Sequence, residues 1–163
     1  MQSVQRKKRL VAIAYHFFPH YRAAIMQALL NSPEYNYVMV GDKKDPDGSI
    51  KEWDVPEDRF VFAPCIRLCG NLLWQKNLLS LAARSDLHAV VFLGNANWLS
   101  TWFAALVARL TGKRVLFWTH GWVRWDKGVK AIVRRSFYRL AHGLLLYGNC
   151  ARLIGLAEGF PSD

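Results

Sequence analysis

Hydrophobic positions along the chain alternate between short continuous apolar runs and stretches with helical spacing. Continuous runs of four to eight apolar residues are typical of strands that are covered on both faces. They predict strands at residues 10–15, 35–40, 59–63, 88–93, 113–118 and 144–147. Helical spacing predicts helices at residues 21–31, 70–84, 98–111, 127–142 and 150–158. For the fourth helix, Asp126 suits the N-cap and Gly143 the C′ position.

This alternation of strands and helices predicts an α/β fold, a Rossmann-like doubly wound parallel sheet in a three-layer α/β/α arrangement. Six strands suit the order 3-2-1-4-5-6. The length of 163 residues fits a single domain spanning residues 1–163. Residues 43–57 read as an exposed loop with a turn at Asp45-Pro-Asp-Gly. The chain ends on a polar turn after a helix, so we expect it to have been cut before a further strand.

Composition narrows the class of protein. Hydrophobic residues make up 52% and charged residues 21%, which is typical of a globular chain. The three cysteines cannot all pair and no secretory leader is visible, so a reducing, cytoplasmic location is expected. Cys65 and Cys69 lack a second pair of ligands, which favours buried thiols over a metal site. No run approaches the ~18 apolar residues of a membrane span.

The net charge is +10, and the charged residues are distributed unevenly along the chain. Between Arg109 and Arg139 lie nine basic residues and one acid, Asp126, whereas residues 42–58 hold seven acids and three lysines. A further basic cluster, residues 6–9, precedes the first strand. Such asymmetry predicts an anionic partner on one face, which could be lipid head groups, nucleic acid or a phosphorylated substrate.

In open α/β sheets, ligands bind outside the carboxyl ends of the strands. That rule selects the turns at residues 16–22, 94–98, 119–124 and 147–149. Aromatic rings, imidazoles and amides are concentrated there, which is the mixture that sugar recognition requires. The candidate substrate-binding residues are Phe18, Pro19, His20, Tyr21, Arg22, Asn95, Asn97, Trp98, Gly121, Trp122, Tyr147 and Asn149.

His120 is the strongest catalytic candidate in these turns. It follows an apolar strand and precedes Gly121, which allows a sharp turn or a close approach to a ligand. Its imidazole could meet a substrate hydroxyl or act as a base. The alternative is a strand-end histidine that only caps a turn. For His16 and His20 an ordinary loop position is the favoured interpretation.

The asparagines of the strand-end turns have a simpler alternative role. Asn97 and Asn149 each precede a predicted helix, so N-capping is the favoured interpretation of both. Asn95 has no comparable structural role in the predicted elements. It is therefore the better candidate for binding a ligand.

The helix predicted at residues 127–142 has an apolar stripe beside a basic face. Two interpretations remain open: ordinary packing with a solvated basic face, or docking on anionic lipid at roughly 1 kcal/mol per basic residue. Trp122, Trp125 and Tyr138 could serve as interfacial anchors. Nucleic acid is disfavoured because the aromatics are not interleaved with the basic residues. The apolar stripe is Val129, Ile132, Val133, Phe137 and Leu140, and the candidate membrane-binding residues are Lys127, Lys130, Arg134 and Arg135.

Several common catalytic motifs are missing. No Gly-x-Gly-x-x-Gly follows the first strand, which argues against a standard dinucleotide site. There is no Walker loop and no Gly-x-Ser-x-Gly elbow, and the strand-end turns contain no paired carboxylates.

Four segments carry a resemblance to a known family. The segments at residues 15–22 (Tyr-His-Phe-Phe-Pro-His-Tyr-Arg), 92–95, 114–122 and 144–149 resemble strand ends in the N-terminal domain of retaining GT-B glycosyltransferases of the family 4 type. The likeness covers nearly the whole chain, and its most specific element is Trp-Thr-His-Gly-Trp at residues 118–122.

The resemblance implies an acceptor-side domain whose missing C-terminal partner would hold the nucleotide sugar, so this domain alone would bind no cofactor and no metal. It also implies that His120 reaches the donor sugar. Many relatives are peripheral proteins on the inner face of the membrane that act on lipid-linked or envelope acceptors.

This chain departs from the family in two respects. It ends before the Glu-x7-Glu motif of the C-terminal domain, and its first loop lacks the paired glycines of many relatives. We therefore expect the 163-residue chain to be inactive alone. A non-catalytic membrane-surface or adaptor module and a free-standing nucleotide-binding domain are the rival interpretations.

Overall fold

The computed structural model describes residues 8–45 and 48–162. Its strands are β1 (Arg9–Phe17), β2 (Tyr35–Asp42), β3 (Phe60–Phe62), β4 (Cys65–Cys69), β5 (Leu72–Gln75), β6 (Leu87–Leu93), β7 (Arg114–Thr119) and β8 (Gly143–Leu146). Its α-helices are α1 (Ala23–Leu30), α2 (Leu78–Ala83), α3 (Leu99–Leu110), α4 (Gly128–Tyr138) and α5 (Asn149–Ala157). Short 3-10 helices lie at His20–Arg22 and Glu57–Arg59.

The six predicted strands form one parallel sheet in the order β3-β2-β1-β6-β7-β8. Counted within this sheet, the order is the doubly wound 3-2-1-4-5-6 that was expected. The chain begins at the centre, runs to one edge and then returns to the other side of β1. The point of reversal lies between β1 and β6, and such switch points open the crevice where ligands bind.

Helices cover both faces of the sheet, so the predicted α/β fold of a single Rossmann-like domain is confirmed. Successive strand residues point to opposite faces. Val11 and Ile13 of β1 pack in the cluster that contains Met26 of α1. Ala12 and Ala14 belong to the opposite cluster, which α2, α3, α4 and α5 cover.

The prediction of a helix at residues 70–84 is wrong for the first half of that segment. Residues 65–75 form an antiparallel hairpin of β4 and β5, and only Leu78–Ala83 is helical. Gln75 explains the difference, because its buried amide donates to the carbonyl oxygens of Tyr15 (2.8 Å) and Ala63 (3.1 Å). Its backbone N–H donates to Ser100 Oγ at 2.9 Å. These contacts with the rest of the domain outweigh local helical spacing.

The helix predicted at residues 127–142 ends at Tyr138, and both of its predicted caps are wrong. Lys127 occupies the N-cap without a side-chain capping bond. Asp126 instead forms ion pairs with Arg134 (2.9 Å) and Lys130 (3.5 Å). Gly143 begins β8 rather than closing the helix.

The expectation that Cys65 and Cys69 are buried thiols holds only in part. Cys65 is half-buried, and burial raises the pKa of its thiol to about 12. Cys69 is exposed, so the expectation is wrong for that residue, and Cys150 is exposed as well. In the described part of the chain, no helix is both long and apolar enough to cross a membrane.

Two predicted features fall partly outside the described residues. In the turn at residues 45–48, positions 46 and 47 are not described, but the Gly48 N–H donates to the Asp45 carbonyl at 3.0 Å, which is the hydrogen bond that closes many β-turns. In the basic cluster at residues 6–9, positions 6 and 7 are not described, while Lys8 and Arg9 are exposed.

Candidate functional site

The carboxyl ends of β1, β6, β7 and β8 enclose a cleft of about 600 Å³ at the switch point of the sheet. Tyr15, Asn95, Asn97, His120 and Tyr147 line it. The four predicted strand-end turns therefore contribute unequally. The turns after β6 and β7 supply the polar groups and the turn after β8 supplies the Tyr147 ring, whereas the turn at residues 16–22 supplies no lining residue and Tyr15 comes from β1 itself.

His120 is exposed at the mouth of this cleft, and its ring stacks on Tyr147 with centroids 4.5 Å apart. The turn that presents it depends on Gly121, whose φ of +67° suits glycine. A Cβ at this position would lie 2.7 Å from Leu146 Cδ2, so a side chain there would be crowded as well as strained. Thr119 fixes the same turn, since its Oγ1 accepts the Gly121 N–H at 3.1 Å.

The loop after β6 places Asn95 and Asn97 at the cleft with both side chains exposed. Asn95 Oδ1 accepts the backbone N–H of Asn97 at 3.0 Å, so Asn95 has a structural role that the sequence did not indicate. Trp98, not Asn97, is the N-cap of α3, and the capping interpretation of Asn97 is wrong.

The aromatic loop after β1 lies mostly beneath the surface. Phe18 and Pro19 are buried, and Phe18 packs against Gly41 on the side of β2, outside the cleft lining. His20 and Tyr21 are exposed, and the His20 ring lies 2.9 Å from the Lys51 carbonyl oxygen. Phe18 and Pro19 are thus part of the support of the site rather than of its surface.

Three other candidate residues are also away from the surface of the cleft. Trp98 is only 5% exposed. Trp122 belongs to the core, where it packs edge-on against Tyr138 with centroids 4.9 Å apart. Asn149 is the first residue of α5 and follows the N-cap Gly148, so the interpretation of Asn149 as an N-cap is wrong. Asn149 borders a separate cavity beside that helix.

Two of the three predicted interfacial anchors are buried. Trp122 and Tyr138 are each 4% exposed and cannot reach a membrane surface, whereas Trp125 is 55% exposed.

Arg22 is the buried cation of the site. Its guanidinium carbon lies 4.7 Å from the ring centre of Tyr15, and 5.2 Å from the ring centres of both Trp118 and Tyr147. The exposed ring of Tyr21 lies 5.9 Å away. Burial raises the pKa of the Tyr15 hydroxyl far above its usual range, although the charge of Arg22 acts in the opposite direction.

His16 lies beside this aromatic group, with its ring centre 4.5 Å from Tyr15 and 6.0 Å from Trp98. Burial lowers the pKa of its imidazole from 6.5 to about 4, and the Arg22 charge lowers it further, while Asp45 opposes the shift. His16 is therefore neutral at physiological pH. Its Nδ1 is buried and has no hydrogen-bond partner among the described residues.

The remaining charges of the cleft belong mainly to the α4 side. Arg124, Lys130 and Arg134 line it together with one acid, Asp126. Arg134 also donates to the Gly121 carbonyl at 3.1 Å, so it braces the turn that carries His120. Within the described residues, no group of three His, Cys, Asp or Glu side chains could hold a metal ion.

Three of the four residues predicted to bind a membrane have ion-pair partners within the domain. Arg134 and Lys130 pair with Asp126, and Arg135 pairs with Glu158 at 2.6 Å. Lys127 is exposed, and the Lys130 side chain is 63% exposed.

No family model matches this chain. A comparison with the curated proteins found no similar sequence. Any functional assignment therefore depends on the geometry of the cleft and of the surfaces around it.

Proposed function

We propose that the chain is the acceptor-side domain of a two-domain GT-B glycosyltransferase, which moves a sugar from a nucleotide-sugar donor to a hydroxyl of a lipid-linked or envelope acceptor. The observation that supports this most is the convergence of His120, Asn95 and Tyr147 on one cleft at the switch point of the sheet. The donor would be held by a second domain, which is the expected partner.

The chemistry of the cleft suits a carbohydrate. Sugars offer C–H patches that stack on rings and hydroxyls that exchange hydrogen bonds with amides and imidazoles. Tyr147 is 46% exposed, and the side chains of Asn95, Asn97 and His120 are exposed beside it. In this proposal the two asparagines bind acceptor hydroxyls, and His120 contacts the donor sugar at the reacting end of the cleft.

Replacing His120 with alanine, in the protein that carries this chain together with the proposed donor-binding domain, is expected to lower turnover about 100-fold, as the loss of one positioned hydrogen-bonding group usually does. Turnover is measured as transfer of labelled sugar from a panel of nucleotide sugars to a lipid extract. The fold should survive, because His120 is exposed.

His88→Ala is the matched control for that experiment. His88 is the second residue of β6, at the opposite end of the strand from the cleft, with its Nε2 lying 3.2 Å from Arg9 Nη1. Its replacement should leave turnover unchanged. Equal turnover in the His120→Ala and wild-type proteins would remove His120 from the reaction. A gene that continues without a second α/β domain carrying Glu-x7-Glu would end the transferase proposal.

A second candidate function, a module that binds membrane surfaces without catalysis, is favoured by an unexpected surface. The apolar stripe of α4 is not packed at its N-terminal end, where Val129 is 75% and Ile132 63% exposed. We call the exposed residues of this region the α4 patch. It consists of Val123, Trp125, Val129, Ile132 and Val133.

The α4 patch has the chemistry of an interfacial surface. A cluster of exposed apolar side chains usually indicates a binding surface. Arg124, Lys127 and Lys130 adjoin it in the chain and are exposed. Membrane affinity increases when apolar residues enter the head-group region and basic residues contact anionic lipid at the same time. This supports peripheral binding to the anionic inner face of a membrane.

Vesicle flotation tests the membrane candidate. The chain is expected to float with anionic vesicles and not with neutral ones, and Ile132→Ser should reduce the floated fraction severalfold. Leu110→Ser is the control, since Leu110 is 78% exposed on α3 and outside the α4 patch. Equal flotation with both kinds of vesicle, or none with either, would refute docking on anionic lipid.

A further inference from the structure

The buried guanidinium of Arg22 is not explained by the sugar contacts proposed above. Arg22 is 8% exposed, and its Nη1 is buried without a hydrogen-bond partner among the described residues. None of the ion pairs formed by the described residues includes it. Burying a charge without a counter-charge is costly, so such a group calls for a partner.

The surrounding rings supply only part of that partner. Four aromatic rings lie 4.7–5.9 Å from the guanidinium carbon, and cation–π attraction stabilises the charge through the faces of those rings. The N–H groups of a guanidinium point outward within its own plane and need oxygen acceptors there. The Tyr147 hydroxyl is one such acceptor: burial raises its pKa, while the charge of Arg22 and hydrogen bonds to Arg22 and Tyr15 act in the opposite direction. Nη1 still has no acceptor among the described residues. An oxyanion can supply it, through two parallel hydrogen bonds.

The position of Arg22 connects it to the cleft. Three of its rings, those of Tyr15, Trp118 and Tyr147, also line the cleft. Tyr147 follows the end of β8 and is 46% exposed, so its ring has room to turn towards solvent. Turning would break its hydrogen bonds with Arg22 and Tyr15 and its stacking on His120, so the bound ligand has to replace those contacts. That movement would open the guanidinium to a ligand in the cleft.

We propose that Arg22 is the receptor for a phosphoryl group carried by the ligand of the cleft, and that the ring of Tyr147 moves aside to admit it. This inference rests on the proposed function, because it concerns the same cleft. It adds that the acceptor is a phosphorylated molecule.

Charge favours phosphate over a carboxylate or a neutral sugar. The residues that line the cleft include three basic side chains, Arg124, Lys130 and Arg134, and one acid, Asp126. A cleft with this excess of positive charge attracts a doubly charged anion more strongly than a singly charged one. The planar fork of arginine also matches the geometry of phosphate oxygens better than the point charge of lysine does.

The test is a titration of the 163-residue chain with inorganic phosphate, glycerol 3-phosphate, acetate and glycerol at constant ionic strength. Binding is followed by calorimetry and by the side-chain NMR signals of the arginines. Both phosphates should bind saturably and shift the Arg22 signals, and acetate and glycerol should not. Tighter binding of glycerol 3-phosphate would identify an esterified group, and equal affinities would identify the phosphate alone as the recognised element.

Variants separate recognition from non-specific attraction. Arg22→Gln should weaken phosphate binding about tenfold or more, as the loss of a charge-assisted hydrogen bond does. Arg67→Gln, on the exposed face of the β4–β5 hairpin, should leave it unchanged. Tyr147→Ala should tighten binding, and the double variant with Arg22→Gln should lose that gain. If Arg22→Gln does not fold by circular dichroism, Arg22→Lys keeps the charge and should bind phosphate more weakly than wild type.

Two results would overturn the proposal. One is phosphate affinity that is equal in the wild-type and Arg22 variants. The other is an Arg22 signal that phosphate leaves unmoved in both the wild-type and Tyr147→Ala proteins. Either would make Arg22 a structural cation held by its rings. Because these measurements detect binding alone, their outcome is independent of whether the larger protein transfers sugar.

Discussion

Replacing Phe137 with alanine is expected to lower the free energy of unfolding by about 4 kcal/mol, the largest effect of any substitution considered. Phe137 is fully buried, stacks on Phe117 with centroids 4.5 Å apart, and packs against Trp102 at 4.9 Å. Phe137 and Tyr138 are the buried residues of α4, so the helix is attached to the sheet mainly by its last turn. Urea denaturation measures the change directly.

Val129→Ala on the same helix is the control for Phe137→Ala. Val129 is 75% exposed, so its truncation should change the free energy of unfolding by less than about 0.5 kcal/mol. Loss of Phe137 should also disturb the cleft, because the neighbouring Tyr138 hydroxyl lies 3.1 Å from Thr119 Oγ1 in the turn before His120. A loss below about 1 kcal/mol would mean that α4 is held elsewhere.

The sheet could be predicted from sequence because its strands are covered on both faces. A strand such as β6, with Val90 and Phe92 facing one layer and Ala89 and Val91 the other, must be apolar throughout. Such runs are distinctive, and their order follows from the short connections of doubly wound folds. The loop glycine before Trp122 was also interpreted correctly, since Gly121 adopts a positive φ.

The β4–β5 hairpin could have been found, because Gly70-Asn71 is a two-residue turn of the Gly-Asn type between two runs that can form strands. Gly70 has a φ of +52°, as such turns require. The helical spacing of Leu72, Leu78 and Leu79 competed with that signal. What decides between them is Gln75, whose partners lie far away in sequence and cannot be predicted from local pattern.

The sequence predicted which polar residues line the site, but not which residues of the site are buried. Asn95, His120 and Tyr147 follow strands, so the strand-end rule brought them together. Arg22 was predicted as a substrate-binding residue, but its burial could not be predicted, because it depends on rings contributed by β1, β7 and the loop after β8. The exposed part of α4 was missed for the opposite reason: an apolar stripe shows which side chains share a face, but not whether another layer covers it.

Lowering the pH from 6.5 to 4 is expected to reduce the free energy of unfolding by about 3 kcal/mol through the protonation of His16 alone. Burial first, and then the charge of Arg22, lower the pKa of His16 from 6.5 to about 4, although Asp45 opposes this. The unfolded chain therefore binds a proton at His16 below about pH 6.5, whereas the folded chain resists it until about pH 4. Stability is fully present above pH 6.5 and is lost as the pH falls.

The contribution of His16 is measured as a difference. The free energies of unfolding of the wild-type and His16→Asn proteins are compared at pH 7.5 and pH 4.5, so that the carboxylates, which are common to both, cancel. The wild type should lose more stability than the variant over this interval, because asparagine is polar but does not titrate. Parallel losses in the two proteins would show that His16 is not buried as a neutral ring.

A variant of Arg22 connects this acid sensitivity to the aromatic group around it. Because the Arg22 charge is the second cause of the low pKa of His16, Arg22→Gln should raise that pKa and reduce the acid-dependent loss of stability. The loss should not disappear, since burial is the larger cause. A phosphate bound at Arg22 would offset the same positive charge and should act in the same direction. An acid-dependent loss that neither the variant nor phosphate changes would mean that burial alone keeps His16 neutral.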